Sequence, residues 1–170
     1  ISGNPRETSK KHDIHAVGTF SALGIVKAIA SSDLVISGGG SLLQDATSIR
    51  NTYYYLSIMG LAKLMGKKVM LYSQGIGPLN RKSTRRAVGC MLKFVDAITV
   101  RDSISKDELE SLGIEDVEVT ADAVLAMNKA DISIGQHILD GYTSKLPDTG
   151  ISPKRIGVAV RSWKEDTEYR

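Results

Sequence analysis

The residues with the clearest chemical potential form the run Ser37-Gly38-Gly39-Gly40-Ser41-Leu42-Leu43-Gln44-Asp45. Three successive glycines after an apolar stretch let the backbone approach a ligand closely and adopt positive φ angles. A helix that follows would point its free amide groups at that ligand, which favours an anion. The glycines match neither the GxGxxG dinucleotide pattern nor the P-loop, which needs a Lys after its last glycine. The run therefore predicts either an anion site of unnamed chemistry or a strand-to-helix turn without a ligand.

Three further apolar segments also end in polar or glycine-rich residues. These ends are the residues Gln74, Gly75 and Gly77 before Pro78, then Arg101-Asp102 with Ser105, then Thr120-Ala121-Asp122. In an open parallel sheet, ligands bind outside the carboxyl ends of the strands, which share one edge. The four segments together therefore predict one cleft.

Arg101 is an uncommon residue at the end of an apolar strand. Its fork of donors suits a phosphate or a carboxylate, and a structural ion pair with Asp102 or Asp122 explains the position equally well. Asp45 and Asp122 have two interpretations of their own. Either carboxylate can serve as an acid–base or hydroxyl-binding group, or it can stabilise a helix N-terminus or a structural bridge.

Composition excludes several classes of function. The chain has 170 residues, 42% of them hydrophobic and 24% charged, with a net charge of +3 that is too small to indicate nucleic-acid binding. Its one cysteine, Cys90, rules out an internal disulfide, fits a reducing cytoplasm and is predicted to be a buried, inert thiol. His12, His15 and His137 lack the spacing of metal ligands, so we assign no metal and no cofactor. No apolar run approaches the ~20 residues that span a bilayer.

Helices and strands alternate along the chain, which predicts an α/β fold with a doubly wound parallel sheet covered on both faces. The predicted helices are 5–11, 21–30, 48–65, 81–94 and 103–112, and the predicted strands are 15–17, 33–37, 68–73, 97–101 and 117–119. Helix 48–65 carries two apolar stripes, so it is predicted to be largely buried, with Tyr53-Tyr54-Tyr55 in the core. Leu23, Val26 and Ala30 are expected on one side of helix 21–30. Helix 81–94 carries a cluster of basic residues, namely Arg81, Lys82, Arg85 and Arg86. This cluster predicts a solvated surface or an attraction to an anionic membrane.

With these residues in view, the chain resembles the polysaccharide pyruvyl transferase family, and most closely its bacterial cell-wall branch. The resemblance rests on four motifs in the family's order and spacing: Ser37 to Asp45 with Thr47-Ser48 and Tyr54-Tyr55-Leu56, then Gln74-Gly75-Ile76-Gly77-Pro78, then Ile98-Thr99-Val100-Arg101-Asp102 with Ser105, then Val119-Thr120-Ala121-Asp122. It covers nearly all of residues 1–127 and resumes at Ile156-Gly157-Val158.

The resemblance implies a Rossmann-like domain that is one half of a GT-B-like architecture. Residues 1–127 would be most of the N-terminal domain without its first strand and helix. Residues 128–155, with one helix around 133–139, would connect it to a second Rossmann-like domain that begins at 156–170. Both ends look cut, so we expect the chain to be a piece of a longer protein and to be inactive by itself.

The resemblance also implies a reaction. Phosphoenolpyruvate would donate its pyruvyl group to a sugar of a cell-wall polysaccharide precursor, either lipid-linked or free, and the product would be a pyruvate ketal. Arg101 would bind phosphoenolpyruvate, and the other expected substrate-binding residues are Gly38, Gly39, Gly40, Ser41, Gln44, Asp45, Gln74, Gly75, Gly77 and Asp122. The general acid and base are not identified. The enzyme would work in the cytoplasm, at the inner face of the membrane.

Two other functions stay open at this point. One is a GT-B-type glycosyltransferase or epimerase that acts on nucleotide sugars. The other is a non-catalytic docking domain that uses the cluster of basic residues on helix 81–94.

Overall fold

A computed structural model describes residues 1–129 and 131–143 of the chain. Its helices are α1 (Pro5–His12), α2 (Ala22–Ala30), α3 (Ile49–Leu64), α4 (Lys82–Leu92), α5 (Ser103–Glu110) and α6 (Ile132–Thr143). Its strands are β1 (Leu34–Gly38), β2 (Lys68–Gln74), β3 (Ala97–Val100) and β4 (Glu118–Val119), and a short 3-10 helix spans Ala123–Ala126. Among the described residues, no helix combines the length and apolar character needed to cross a membrane.

The four strands form one parallel sheet in the order β1-β2-β3-β4, with helices between successive strands. This confirms the predicted α/β, Rossmann-like fold class. One face of the sheet carries the hydrophobic core, in which Leu56 and Met59 of α3, Val69 and Leu71 of β2 and Val88 of α4 pack together. All four carboxyl ends lie at the same edge, because every strand runs in the same direction.

The opposite face of the sheet departs from the prediction of strands covered on both sides. Leu34 and Ile36 are 43% and 57% exposed, and Tyr72 is 41% exposed. The pairing of Ile36 with Met70 and of Gly38 with Tyr72 places these side chains on one face. A cavity of about 480 Å³ lies along β1. Within the described residues, this face is therefore only partly covered.

The first helix begins at a capping residue, but the residues after it pack differently from the prediction. Asn4 caps α1 by accepting a hydrogen bond from the Glu7 backbone N–H, as expected for an Asn before Pro5. The predicted strand 15–17 is wrong, because only an isolated bridge joins Ser2 to Gly18. Leu23, Val26 and Ala30 share one side of α2 as predicted, but that side is exposed, with Leu23 at 77%. The helix packs through Ile25 and Ile29 instead.

Helix α3 is half-buried and not largely buried. Helix α3 ends before Gly66, which has a φ of +72°. It buries Thr52, Leu56, Met59 and Ala62, but Leu64 is 88% exposed, so the prediction of a largely buried helix is wrong. Tyr55 packs against the core as predicted, whereas Tyr53 is 40% exposed.

Two predictions for helix α4 need correction. Cys90 is exposed and not buried. Arg85 is not part of a solvated face, because it forms an ion pair with Glu108 and donates a hydrogen bond to Ser111.

The chain divides into two units, Ile1–Met127 and Asn128–Arg170. The sheet and helices α1 to α5 belong to the first unit. In the second unit, the helix predicted around 133–139 is present and longer, as α6. The predicted second domain at 156–170 lies outside the described residues, and the domain assignment as a whole stays a prediction.

Candidate active site

The loops after β1 and β2 are joined by backbone hydrogen bonds at the carboxyl edge of the sheet. The Gly75 N–H donates to the Gly40 carbonyl at 2.9 Å, and the Gly77 N–H donates to the Leu43 carbonyl at 2.9 Å. Ser105, on α5, accepts a hydrogen bond from the Ile76 N–H at 2.9 Å through its hydroxyl. These hydrogen bonds therefore bring the first three predicted motifs together at one edge of the sheet.

The three glycines at the end of β1 and just after it do not have the same role. Gly39 and Gly40 have φ angles of +73° and +68°, and a Cβ at either one would meet open space. These two need glycine for their backbone conformation. Gly38 has no such requirement, because a Cβ there would make ordinary contacts of 3.5–3.6 Å with Ile36 and Tyr72.

The glycine run is not directly attached to a helix N-terminus, contrary to expectation. Residues 41–48 separate Gly40 from the first residue of α3. The backbone N–H groups of Gly40 and Ser41 donate no hydrogen bond within the described part of the chain. These two amides, rather than the end of α3, are the backbone donors available next to Ser41.

Ser73 is a site residue that the sequence analysis missed. It has a φ of +48°, an unusual conformation for a residue with a side chain, and it lies where the β2–β3 register shifts between Leu71 and Gln74. The conformation is held by the Thr99 hydroxyl, which accepts from the Ser73 N–H at 2.8 Å. Gly75, two residues further along the chain, lies against the side chain of Arg101. A serine in an apolar strand carries no sequence signal for such a bulge.

Arg101 lies at the centre of the site. Its Nη1 donates to the Asp122 carboxylate at 3.0 Å and its Nη2 donates to the Ser41 hydroxyl at 3.0 Å. A second carboxylate, from Asp102, has an oxygen 3.6 Å from its Nε. The Arg101 side chain is 32% exposed, so it remains open to a ligand. The structure thus brings residues from four strand ends together around one guanidinium.

Gly75 is the residue that makes room for this arrangement. A Cβ at Gly75 would lie 2.7 Å from the Ser41 hydroxyl and 2.8 Å from both Nε and Nη2 of Arg101. Real Cβ atoms do not approach other atoms so closely. Gly75 is therefore glycine because of space, whereas Gly39 and Gly40 are glycine because of conformation.

The two aspartates beside Arg101 stay ionised. A hydrogen bond from the Val124 backbone and then one from Arg101 hold the pKa of Asp122 below its ordinary value. Hydrogen bonds from the Ser105 side chain and backbone do the same for the pKa of Asp102, which caps α5. A lowered pKa suits a carboxylate that orients Arg101 and does not suit a proton donor.

Three other predicted site residues make their visible contacts within the fold, and one of them is fully buried while two are partly exposed. Gln74 is completely buried and donates to the Ser37 hydroxyl at 2.9 Å. Gln44 donates to the Thr47 hydroxyl at 2.5 Å. Gly77, with a φ of +82°, serves the turn before Pro78. We find their visible role in shaping the two loops, and direct contact with a substrate stays a prediction for them.

Asp45 caps the start of α4 from the neighbouring loop. Its two carboxylate oxygens accept hydrogen bonds from the backbone N–H groups of Asn80 and Arg81, both at 2.8 Å. Burial alone would raise the pKa of Asp45, but these hydrogen bonds outweigh it and the pKa lies below its ordinary value of 3.8. Both oxygens are therefore occupied by the fold.

The Asp45→Ala substitution is expected to lower the free energy of unfolding by about 2–3 kcal/mol, because two N–H groups lose their acceptor. Asp45→Asn keeps one acceptor and is expected to cost about half as much. Because the pKa is lowered, the contribution is complete above pH 3.8 and is lost as the pH falls through the folded pKa. Urea unfolding of the two variants at pH 7 and pH 3 measures this. Equal stability of Asp45→Ala and the unsubstituted protein at pH 7 would contradict the capping role.

No group of three or more His, Cys, Asp or Glu residues in the described part of the chain is placed to hold a metal ion. The site instead offers one guanidinium, free backbone amides, a hydroxyl and two ionised carboxylates.

Comparison with known proteins gives one match. The model of a family described as polysaccharide pyruvyl transferase covers residues 1–166. No curated protein and no solved structure matches the chain.

Proposed function

The chain belongs to the polysaccharide pyruvyl transferase family, and from that membership we propose that it binds phosphoenolpyruvate at Arg101 and transfers the pyruvyl group to a sugar. The family assignment makes the protein a transferase with a pyruvyl donor and a polysaccharide acceptor. The identity of the donor, the acceptor and the residues that hold them belongs to the proposal.

The observation that carries the proposal is the environment of the Arg101 guanidinium. Ser41 and Asp122 hold two of its nitrogens, and a third of the side chain is exposed. Phosphoenolpyruvate carries a phosphate and a carboxylate, which are the two groups that an arginine fork binds best. The free N–H groups of Gly40 and Ser41 lie next to the same Ser41 hydroxyl and add donors for a second anionic group.

The proposed reaction forms a ketal from phosphoenolpyruvate and two sugar hydroxyls. One hydroxyl oxygen bonds to the enol carbon and loses its proton to a base, while a proton from an acid adds to the methylene carbon and makes it a methyl group. The carbon–oxygen bond to phosphate then breaks, and phosphate leaves with the electron pair. The second hydroxyl oxygen bonds to the same carbon, and its proton is released. The products are the pyruvate ketal and inorganic phosphate, so atoms and charge balance.

The residues of this site can supply the electrostatic part of that reaction. Arg101 would bind the anionic donor and stabilise the charge that develops on the departing phosphate. Asp122 and Asp102 would orient Arg101, because both are ionised and point at it. Neither is suited to be the general acid, so the proton donor lies elsewhere.

We place the acceptor in the class of cell-wall polysaccharide precursors and the reaction in the cytoplasm. The single, exposed Cys90 fits a reducing compartment. The proposal also includes a GT-B-like partner domain that would face Arg101 across a cleft and supply the missing acid and base.

Titration of the intact protein with phosphoenolpyruvate tests the proposal. We expect Arg101→Lys to bind phosphoenolpyruvate about tenfold more weakly, because lysine keeps the charge but loses the fork. Arg86→Lys, the same change at an exposed position on α4, is the matched control and should bind normally. Release of inorganic phosphate in the presence of acceptor reports the reaction itself. Binding of a UDP-sugar without binding of phosphoenolpyruvate would instead support a nucleotide-sugar enzyme.

A further inference from the structure

The charges of this chain are strongly segregated along the sequence. Residues 46–95 contain nine of the 22 Lys and Arg residues and none of the 19 Asp and Glu residues. The rest of the chain holds 13 cationic and 19 acidic residues and therefore has a net charge of −6. The overall charge of +3 is therefore the sum of one basic segment and an acidic remainder of the chain.

Most of this segment belongs to two neighbouring helices. Residues 46–95 contain α3, β2 and α4, and α3 and α4 pack against each other on the same face of the sheet. Two carboxylates from outside the segment pair with these helices: Asp96 with Lys63 at 2.8 Å, and Glu108 with Arg85. Six exposed cations of the segment have no ion-pair partner among the described residues. Arg50, Lys82, Arg86 and Lys93 lie on α3 and α4 or directly after α4, Arg81 precedes α4, and Lys68 begins β2.

Two large apolar side chains project from the same pair of helices. Leu64, the last residue of α3, is 88% exposed, and Phe94, just beyond the end of α4, is 61% exposed. The ion pair between Lys63 and Asp96 links these two helix ends. Exposed apolar side chains next to cations are typical of surfaces that lie on the lipid headgroups and insert their apolar tips. We call Arg50, Lys82, Arg86, Lys93, Leu64 and Phe94 together the basic face.

We infer that the basic face binds the surface of an anionic lipid bilayer. Unpaired cations supply attraction to anionic headgroups, and Leu64 and Phe94 supply short insertion into the acyl boundary. A nucleic acid would use the cations but would gain nothing from the exposed leucine, so the combination favours a membrane. This inference does not depend on the proposed reaction.

Co-sedimentation with vesicles tests the inference. The protein is expected to bind vesicles that contain phosphatidylglycerol in phosphatidylcholine and not vesicles of phosphatidylcholine alone. Reversal of three charges, in Lys82→Glu/Arg86→Glu/Lys93→Glu, is expected to weaken binding at least 100-fold, since each cation near an anionic surface is worth about fivefold or more. Raising the salt from 0.1 M to 0.5 M should release the unsubstituted protein.

A matched variant separates the basic face from net charge. Lys10→Glu/Lys11→Glu/Lys27→Glu makes the same charge change at exposed positions on α1 and α2 and should bind nearly as well as the unsubstituted protein. Leu64→Ser/Phe94→Ser, which alters only exposed side chains and no charge, should weaken the binding measured at 0.1 M salt. Equal binding of the two triple variants would overturn the inference. So would tight binding to double-stranded DNA with no binding to anionic vesicles.

Discussion

Arg101→Ala is expected to weaken the binding of phosphoenolpyruvate about 100-fold, the largest effect of any single substitution in this protein. The guanidinium makes charge-assisted hydrogen bonds, and loss of such bonds to an anion costs about 2–3 kcal/mol. The same substitution should barely change the free energy of unfolding. The Arg101 side chain is 32% exposed, and its ion pair with Asp122 is screened by solvent.

This contrast between affinity and stability makes the result interpretable. Calorimetric titration gives the affinity, and urea unfolding gives the stability of the same sample. Arg86→Ala removes an exposed arginine from α4 and should change neither quantity. If Arg101→Ala and Arg86→Ala bind phosphoenolpyruvate equally well, Arg101 does not hold the donor and its role is the ion pair with Asp122.

Gly75→Ala is expected to reduce the affinity for phosphoenolpyruvate by about 10-fold to 100-fold through the addition of one methyl carbon. That carbon would lie 2.8 Å from Nε and Nη2 of Arg101 and 2.7 Å from the Ser41 hydroxyl. The guanidinium would have to leave Ser41, and a charge-assisted hydrogen bond to the donor that is lost as it moves is worth about 1.5–3 kcal/mol, or about 10-fold to 100-fold in affinity. Since the atoms that move are the ends of side chains, the loss of stability should be about 1 kcal/mol or less.

Gly38→Ala is the control for this substitution. It adds the same methyl carbon at the end of the neighbouring strand β1, where the nearest atoms are at 3.5–3.6 Å and belong to Ile36 and Tyr72. We expect it to bind phosphoenolpyruvate normally. Equal losses of affinity in Gly75→Ala and Gly38→Ala would show that any side chain at this edge is harmful and that the space beneath Arg101 is not special.

The two predictions test different parts of the same site. Arg101→Ala asks whether the guanidinium binds the donor, and Gly75→Ala asks whether its position against Ser41 matters. A protein that loses affinity in the first variant and keeps it in the second would still use Arg101, but without the support of the loop after β1. The membrane binding of the basic face should be unchanged in both variants.

The chain's own pattern was enough to predict most of the architecture. Alternation of apolar strands with periodic helices placed four polar segments at one edge of a parallel sheet, and the structure brings Ser41, Gly75, Arg101 and Asp122 together there. The caps at Asn4 and Asp102 are equally local features, since a cap and the amide it accepts from are only a few residues apart. The four motifs together also indicated the family that the comparison confirms.

The roles of individual residues within that edge depended on contacts between distant parts of the chain. For Asp45 the sequence left open acid–base chemistry and the stabilisation of a helix N-terminus, and its hydrogen bonds at the start of α4 support the second. Cys90 is exposed, and Ser73 adopts a positive φ where its backbone N–H donates to Thr99. Among the glycines, two serve conformation and Gly75 serves space. A local pattern records which face of an element is apolar, because that depends on period alone. Which atoms meet across three loops depends on register and packing, and only the tertiary structure decides that.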